Sequence, residues 1–223
     1  PFELYVGVLV PDMVGQKKDV SATVLRGGKP FAGRDGATFT WKSMFEPFGY
    51  DTYWAGPEYK ARAEAGTYTV TVTSGGGDSE YSLAIGEAEH FDAAEIMNAL
   101  TLVPQLKKSF FHESPISFIL SPFGWGLVLM LYLLAGVVGL IYRFVLRRVV
   151  KNSPRGAGKN IGTWDRLLRL AIGAALLLWA ITTTWSIILI FLSGFAVFEA
   201  LYSWCGFYAA LGKNTCSTSS VSP

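Results

Sequence analysis

Apolar and polar residues alternate over the first 90 positions, and long uncharged runs follow. Leu4, Val6, Val8 and Val10 take every second place in a run stopped by Pro11-Asp12, which predicts a strand. Val20 to Leu25, closed by Gly27-Gly28, predicts a second, and Ala37 to Trp41 a third. Thr67 to Thr73 sets threonines on one face and Tyr68, Val70 and Val72 on the other. With Gly75-Gly76-Gly77-Asp78 as a turn and Tyr81 to Ile85 as the return, that stretch predicts a half-buried antiparallel hairpin. Short strands at this spacing predict an antiparallel β-sandwich over residues 1–90.

The pattern then changes period. Asp92 with Glu95 three residues on predicts a helix start, and Ile96, Leu100 and Val103 follow at helical spacing. Pro104 is expected to end or kink that helix. Lys107 and Lys108 beside Phe110 and Phe111 suit an amphipathic connector, residues 91–113, lying on a bilayer surface or packed under the sandwich. From Ser114 to Tyr142 the chain runs 29 residues without a charge, between Glu113 and Arg143. A bilayer core of about 30 Å needs about 20 apolar helical residues, so this run predicts a first transmembrane helix. A second uncharged run lies between Arg169 and Glu199, broken by Thr182-Thr183-Thr184. It predicts a hairpin over 164–212: a helix from about Trp164 to Ile181, a tight turn, and a helix from about Trp185 to Leu211. Small residues (Gly173, Ala174 and Ala175 against Ser193, Gly194 and Ala196) would let the two backbones approach. The fold class expected is a membrane protein: an extracytoplasmic antiparallel β-sandwich, then three transmembrane α-helices.

Charge orients this arrangement. Residues 1–113 hold 10 Lys/Arg against 15 Asp/Glu, and residues 114–223 hold 9 against 2. Most of the cations of the second half crowd the stretch between the apolar runs: Arg143, Arg147, Arg148, Lys151, Arg155, Lys159, Arg166 and Arg169. A basic loop at 143–163 between membrane segments is expected to be cytoplasmic and to meet anionic lipid head groups, with no nucleic acid as partner. The sandwich then faces periplasm or extracellular space, and the tail, 213–223, returns to the cytoplasm of a bacterial inner membrane. A start at Pro1 rather than Met points to an upstream segment, a signal peptide or signal anchor. Both cysteines fall in the membrane half, so the sandwich must hold without disulfides.

The chemistry on offer is sparse. Phe45, Phe48, Tyr50, Tyr53 and Trp54 crowd one loop, where exposed aromatics would bind a partner protein, or would close one end of the core. His90 and His112 lie near Glu87, Glu89 and Glu113 without metal-ligand spacing, so no metal or other cofactor is expected. Glu199 is the one ionisable residue inside a predicted span, about 22 Å along its helix from the turn at 1.5 Å per residue. It is expected to be protonated, or to pair with Arg143, Arg147 or a partner subunit, acting as interhelical glue rather than as a proton relay. Cys205 and Cys216 read as structural thiols, with a redox pair or metal site as the alternative.

Two stretches resemble known families. Ala65 to Val70 with Tyr81-Ser82-Leu83 resembles the pre-peptidase C-terminal type of secreted β-sandwich, which implies binding or assembly. Asn160-Ile161-Gly162-Thr163-Trp164-Asp165-Arg166-Leu167-Leu168-Arg169, with Cys205-Gly206-Phe207-Tyr208 through Leu211-Gly212-Lys213-Asn214-Thr215-Cys216, resembles the YgaP-type two-helix inner-membrane family. That likeness covers residues 160–216 and implies an anchoring or dimerising module with both ends cytoplasmic. Gly206 stands where the family usually has proline, and its rhodanese domain is missing from this sequence, so sulfur transfer does not carry over.

No nucleophile–base pair or phosphate-cradling loop stands out. The expectation is a non-enzymatic accessory or scaffold subunit of a larger membrane complex, respiratory or photosynthetic among the options, with other membrane subunits as partners and self-association through the hairpin. An envelope sensor recognising glycan or peptide is the alternative. A thiol-dependent enzyme using Cys205 and Cys216 is the third.

Overall fold

The computed structural model describes residues 1–88, 92–149 and 158–216. Glu89, His90, Lys151, Arg155, Gly156, Ala157 and the end of the tail, 217–223, lie outside the described residues. The chain forms two units, Pro1–Pro122 and Phe123–Pro223.

The first unit is built on two antiparallel sheets. One has the strand order β4-β5-β1-β7 (Lys42–Glu46, Asp51–Ala63, Phe2–Pro11, Ser82–Ile85), the other β3-β2-β6 (Lys29–Arg34, Val20–Arg26, Tyr68–Ser74). Alternation delivers one buried cluster: Leu4, Val6, Val8 and Val10 from β1, Val20, Ala22 and Val24 from β2, and Ala63 from β5. Tyr68, Val70 and Val72 pack against it while Thr69 and Thr71 stay exposed.

Two strand expectations are corrected. The segment 37–41 is turn and coil, because Asp35 Oδ1 accepts from the Ala37 N–H and Trp41 Nε1 donates to the Gly36 carbonyl at 2.9 Å. Tyr68–Ser74 and Ser82–Ile85 are not hairpin partners: the former pairs with β2 and the latter with β1. The glycine run therefore carries the chain from one sheet to the other. The strand at 51–63 escapes a reading by alternation because Gly56 and Pro57 interrupt it. Proline lacks a ladder donor, and the register against β1 shifts there, between Gly7 and Leu9, as a bulge allows. A side chain at 56 would strike the Trp41 ring, 2.2 Å from a Cβ, so only glycine fits.

Helix α1, Ala93–Ser109, begins with the expected capping box of Asp92 and Glu95, but runs on through Pro104 instead of ending there. A 3₁₀ turn, Pro115–Leu120, follows within the same unit, so the uncharged run does not start as membrane helix. Helix α2 begins at Pro122, a residue preorganised for a first helical turn, and continues past Arg143 to Val149.

In the second unit, α3 (Thr163–Thr183) and α4 (Ile187–Tyr202) form a tight hairpin. Its turn places Trp185 at φ 53° with the indole buried, and Ser186 caps α4 through the Leu189 N–H. The expected single helix to Leu211 is two pieces: Ser203 takes a left-handed conformation, φ 52°, and α5 restarts at Gly206–Leu211. Helices α2 and α3 are long and apolar enough to cross a membrane. At 16 residues α4 spans about 24 Å at 1.5 Å per residue, short of a full crossing.

Candidate functional site

The break after α4 gathers a network of polar contacts at one end of the hairpin. Because Ser203 turns left-handed, its carbonyl faces the chain that enters α3 and accepts the N–H groups of Asn160 (3.0 Å) and Ile161 (3.2 Å). The Asn160 side chain, 1% exposed, reads the backbone of Cys205 in both directions. Its Nδ2 donates to the Cys205 carbonyl at 2.9 Å, and its Oδ1 accepts the Cys205 N–H at 2.7 Å. The Thr215 N–H donates to the Asn160 carbonyl at 3.1 Å, and its Oγ1 accepts the Gly162 N–H at 3.0 Å and lies 3.2 Å from Asp165 Oδ2. Gly162 is obligatory: a Cβ there would sit 2.1 Å from the Thr215 carbonyl oxygen. Gly212 supplies the left-handed cap of α5, φ 66°, that turns the chain toward Thr215.

One turn into α3 the charges close the same end. Arg169 joins Glu199 through its Nη1 and Asp165 through its Nε at 3.2 Å, with its guanidinium 5.3 Å from the Tyr208 ring. Arg166 Nε donates to the Ala200 carbonyl at 2.8 Å. Glu199 is therefore partnered within the hairpin, not by Arg143 or Arg147, and Arg166 and Arg169 bond to groups of their own unit. An i, i+4 step from Asp165 to Arg169 brings acid and base onto one helix face, and α4 delivers Glu199 opposite them.

Arg143 stacks instead on the hairpin's aromatics, 6.0 Å from the Tyr202 ring and 5.7 Å from that of Trp204, while Arg147 and Arg148 are exposed. Both cysteines are thiols: Cys205 is buried, and half-exposed Cys216 lies 3.7 Å from the Lys159 carbonyl oxygen.

Three glycines seat α2 on the hairpin. Added Cβ atoms at Gly139, Gly194 and Gly206 would meet the rings of Phe198 (2.3 Å), Tyr132 (2.5 Å) and Tyr142 (1.9 Å). Gly206 is thus the seat of the Tyr142 ring. Above it Tyr132 Oη and Ser193 Oγ lie 2.8 Å apart, and Ser193 Oγ donates to the Gly173 carbonyl at 2.7 Å, linking three helices through one hydroxyl. Gly173 meets α4, as its small size suggested, but Ala174 and Ala175 are exposed and Gly194 serves α2.

The aromatic loop of the first unit divides. Tyr53 packs on the Phe110 and Phe111 rings, 6.4 and 5.2 Å away, and burial pushes its hydroxyl up to about 12. Trp54 Nε1 donates to Asp12 at 2.9 Å, with Lys18 Nζ 3.0 Å over the ring, and Phe48 is half-buried. Only Phe45 (53%) and Tyr50 (45%) remain as exposed aromatics of the five. Lys107, for which a bilayer surface and a place under the sheets were both open, is 1% exposed and bonded to Asp51 at 2.5 Å and to the Tyr50 carbonyl at 3.3 Å. The helix packs beneath the sheets because that buried cation has its counter-charge there. Burial nevertheless holds the Asp51 carboxyl above its usual range, outweighing the attraction of Lys107. His112 lies 3.9 Å from Glu80, and among the described residues no three His, Cys, Asp or Glu side chains gather as metal ligands.

Asn160, Asp165 and Thr215, which close the hairpin, were visible in the sequence only as letters of a family pattern. Residues 158–219 match the family model described as the inner membrane protein YgaP-like transmembrane domain. No curated protein matches the chain, and no solved structure does.

Proposed function

We propose that this chain is a non-enzymatic accessory or scaffold subunit of a larger membrane protein complex. It crosses the bacterial inner membrane three times, with the first unit as a β-sandwich outside and the C-terminus in the cytoplasm. The helices pack laterally against other subunits while the sandwich docks a partner.

One observation carries this reading. The polar groups at the hairpin end bond to one another: Asn160 to Cys205, Thr215 to Gly162, Arg166 to Ala200, and Arg169 to Asp165 and Glu199. Groups held this way position a scaffold and offer no reactive atom to a substrate. The excess of cations between the spans supports the orientation, and α4 reaches the far interface with the chain that follows its left-handed break.

The test is native mass spectrometry of the full chain extracted from its own membrane in mild detergent. The expected species holds this chain together with a second membrane polypeptide at fixed stoichiometry. A species containing this chain and nothing else overturns it.

A further inference from the structure

Phe45 and Tyr50 pair edge to face, with ring centroids 5.2 Å apart, at the turn joining β4 to β5. That turn is fastened on every side. The Glu46 carboxylate accepts the N–H groups of Phe48 (2.6 Å) and Gly49 (2.7 Å), and Asp51 holds Lys107 of α1. The Ser121 hydroxyl donates to the Phe48 carbonyl at 2.5 Å. Tyr50 itself sits at φ 63°, a conformation bulky side chains seldom adopt, and its ring lies on Phe45 outside the core.

Ser121 is the residue before Pro122, where α2 begins. Counting back about 20 residues from Arg143 at 1.5 Å each crosses a core of about 30 Å and reaches Phe123. Ser121 therefore stands at the head-group level of one leaflet. The turn that carries the exposed aromatic pair is bonded to Ser121.

We propose that Phe45 and Tyr50 form a lipid-interface anchor, inserted at the boundary between head groups and acyl chains of the leaflet that α2 enters. Phenyl and phenol rings favour that zone, where an apolar ring body and a polar hydroxyl are both accommodated. The occupant of this surface is the phospholipid leaflet rather than a protein. Leu120, 58% exposed and adjacent in sequence to Ser121, adds an aliphatic side chain at the same level.

The proposal rests on α2 spanning the bilayer, and the experiment separates the two. Nitroxide labels are placed one at a time on the full chain in phospholipid nanodiscs, in a Cys205→Ser/Cys216→Ser background. The sites are Phe45→Cys, Pro47→Cys (which keeps the aromatic pair), Ala65→Cys and Leu133→Cys. Ala65 lies just past the far end of β5, about 40 Å along the strand at 3.3 Å per residue, and Leu133 lies mid-helix in α2. Power saturation compares oxygen, which concentrates in lipid, with a water-soluble nickel chelate. The anchor requires oxygen-favoured labels at 45 and 47, a chelate-favoured label at 65, and the strongest oxygen preference at 133. Chelate-favoured labels at 45 and 47 with a lipid-like 133 overturn the anchor and leave the span standing. Labels at 45 and 47 shielded from both reagents place protein there and also overturn it. A chelate-favoured label at 133 removes the span, and the anchor with it.

Discussion

Replacing Lys107 with methionine tests the contact that holds α1 to the sheets. The substitution keeps most of the side-chain volume and removes the charge, leaving Asp51 in a site where it is 7% exposed. The ammonium also gives up its bond to the Tyr50 carbonyl. Breaking a buried pair from one side costs about 3–5 kcal/mol, because the remaining charge is desolvated without compensation. At about 1.4 kcal/mol per decade, local opening of α1 and of the β4–β5 turn rises by roughly 10²- to 10⁴-fold. Hydrogen–deuterium exchange of the full chain in nanodiscs reads this directly in the peptides covering 93–109 and 42–51. The penalty carries a pH signature. Burial raises the folded-state pKa of Asp51 above the ordinary 3.8, so its contribution to stability is present below that value and is lost as pH rises through the folded pKa. Removing Lys107 takes away a cause that lowers it, and the folded value climbs further. The variant should thus be weakest at neutral pH and recover as the solution approaches about pH 4, where the carboxyl is protonated. Asp51→Leu with Lys107→Met should return exchange to near or below the wild-type rate. A Lys107→Met protein with unchanged protection, or with a loss that does not vary with pH, would show that the buried pair does not hold α1.

Two further substitutions examine the membrane half. Gly206→Ala drives a methyl into the Tyr142 ring and should lower thermal stability in detergent by about 1–3 kcal/mol, with Tyr142→Ala in the same chain recovering part of the loss; equal effects with and without Tyr142 would show that the ring does not rest there. Asn160→Ala strips two hydrogen bonds from the Cys205 backbone and should cost about 2–3 kcal/mol, and it should expose the buried Cys205 thiol to maleimide; a thiol as slow to react as in wild type contradicts the clamp.

The parts of the fold that obey one period were legible. Val20 to Leu25 and Thr67 to Thr73 alternate cleanly and are strands, and the capping residues Asp92 and Glu95 open a helix where they should. What stayed hidden depends on partners distant in sequence. Pro57 hides a 13-residue strand because its cost is absorbed by a bulge against β1. The Gly75–Gly77 run has the composition of a hairpin turn, yet pairing with β2 and β1 decides that it crosses between sheets. Lys107 looks like a surface lysine until Asp51, 56 residues earlier, is brought beside it. At the hairpin the two ends were recognisable as a pattern. The partner of Glu199 was not, because Arg169 lies 30 residues earlier and only the packing of α3 against α4 brings the two together.

The Arg169–Glu199 pair joins α3 to α4, and in the function proposed above it carries no proton or substrate. Arg169→Leu with Glu199→Leu removes both charges at once and spares the fold a stranded ion. Native mass spectrometry of this double variant, extracted from its own membrane, measures the partner-bound fraction per folded chain. The double variant should hold the same fraction as wild type, with either single variant reduced. A double variant that folds but no longer assembles would contradict it.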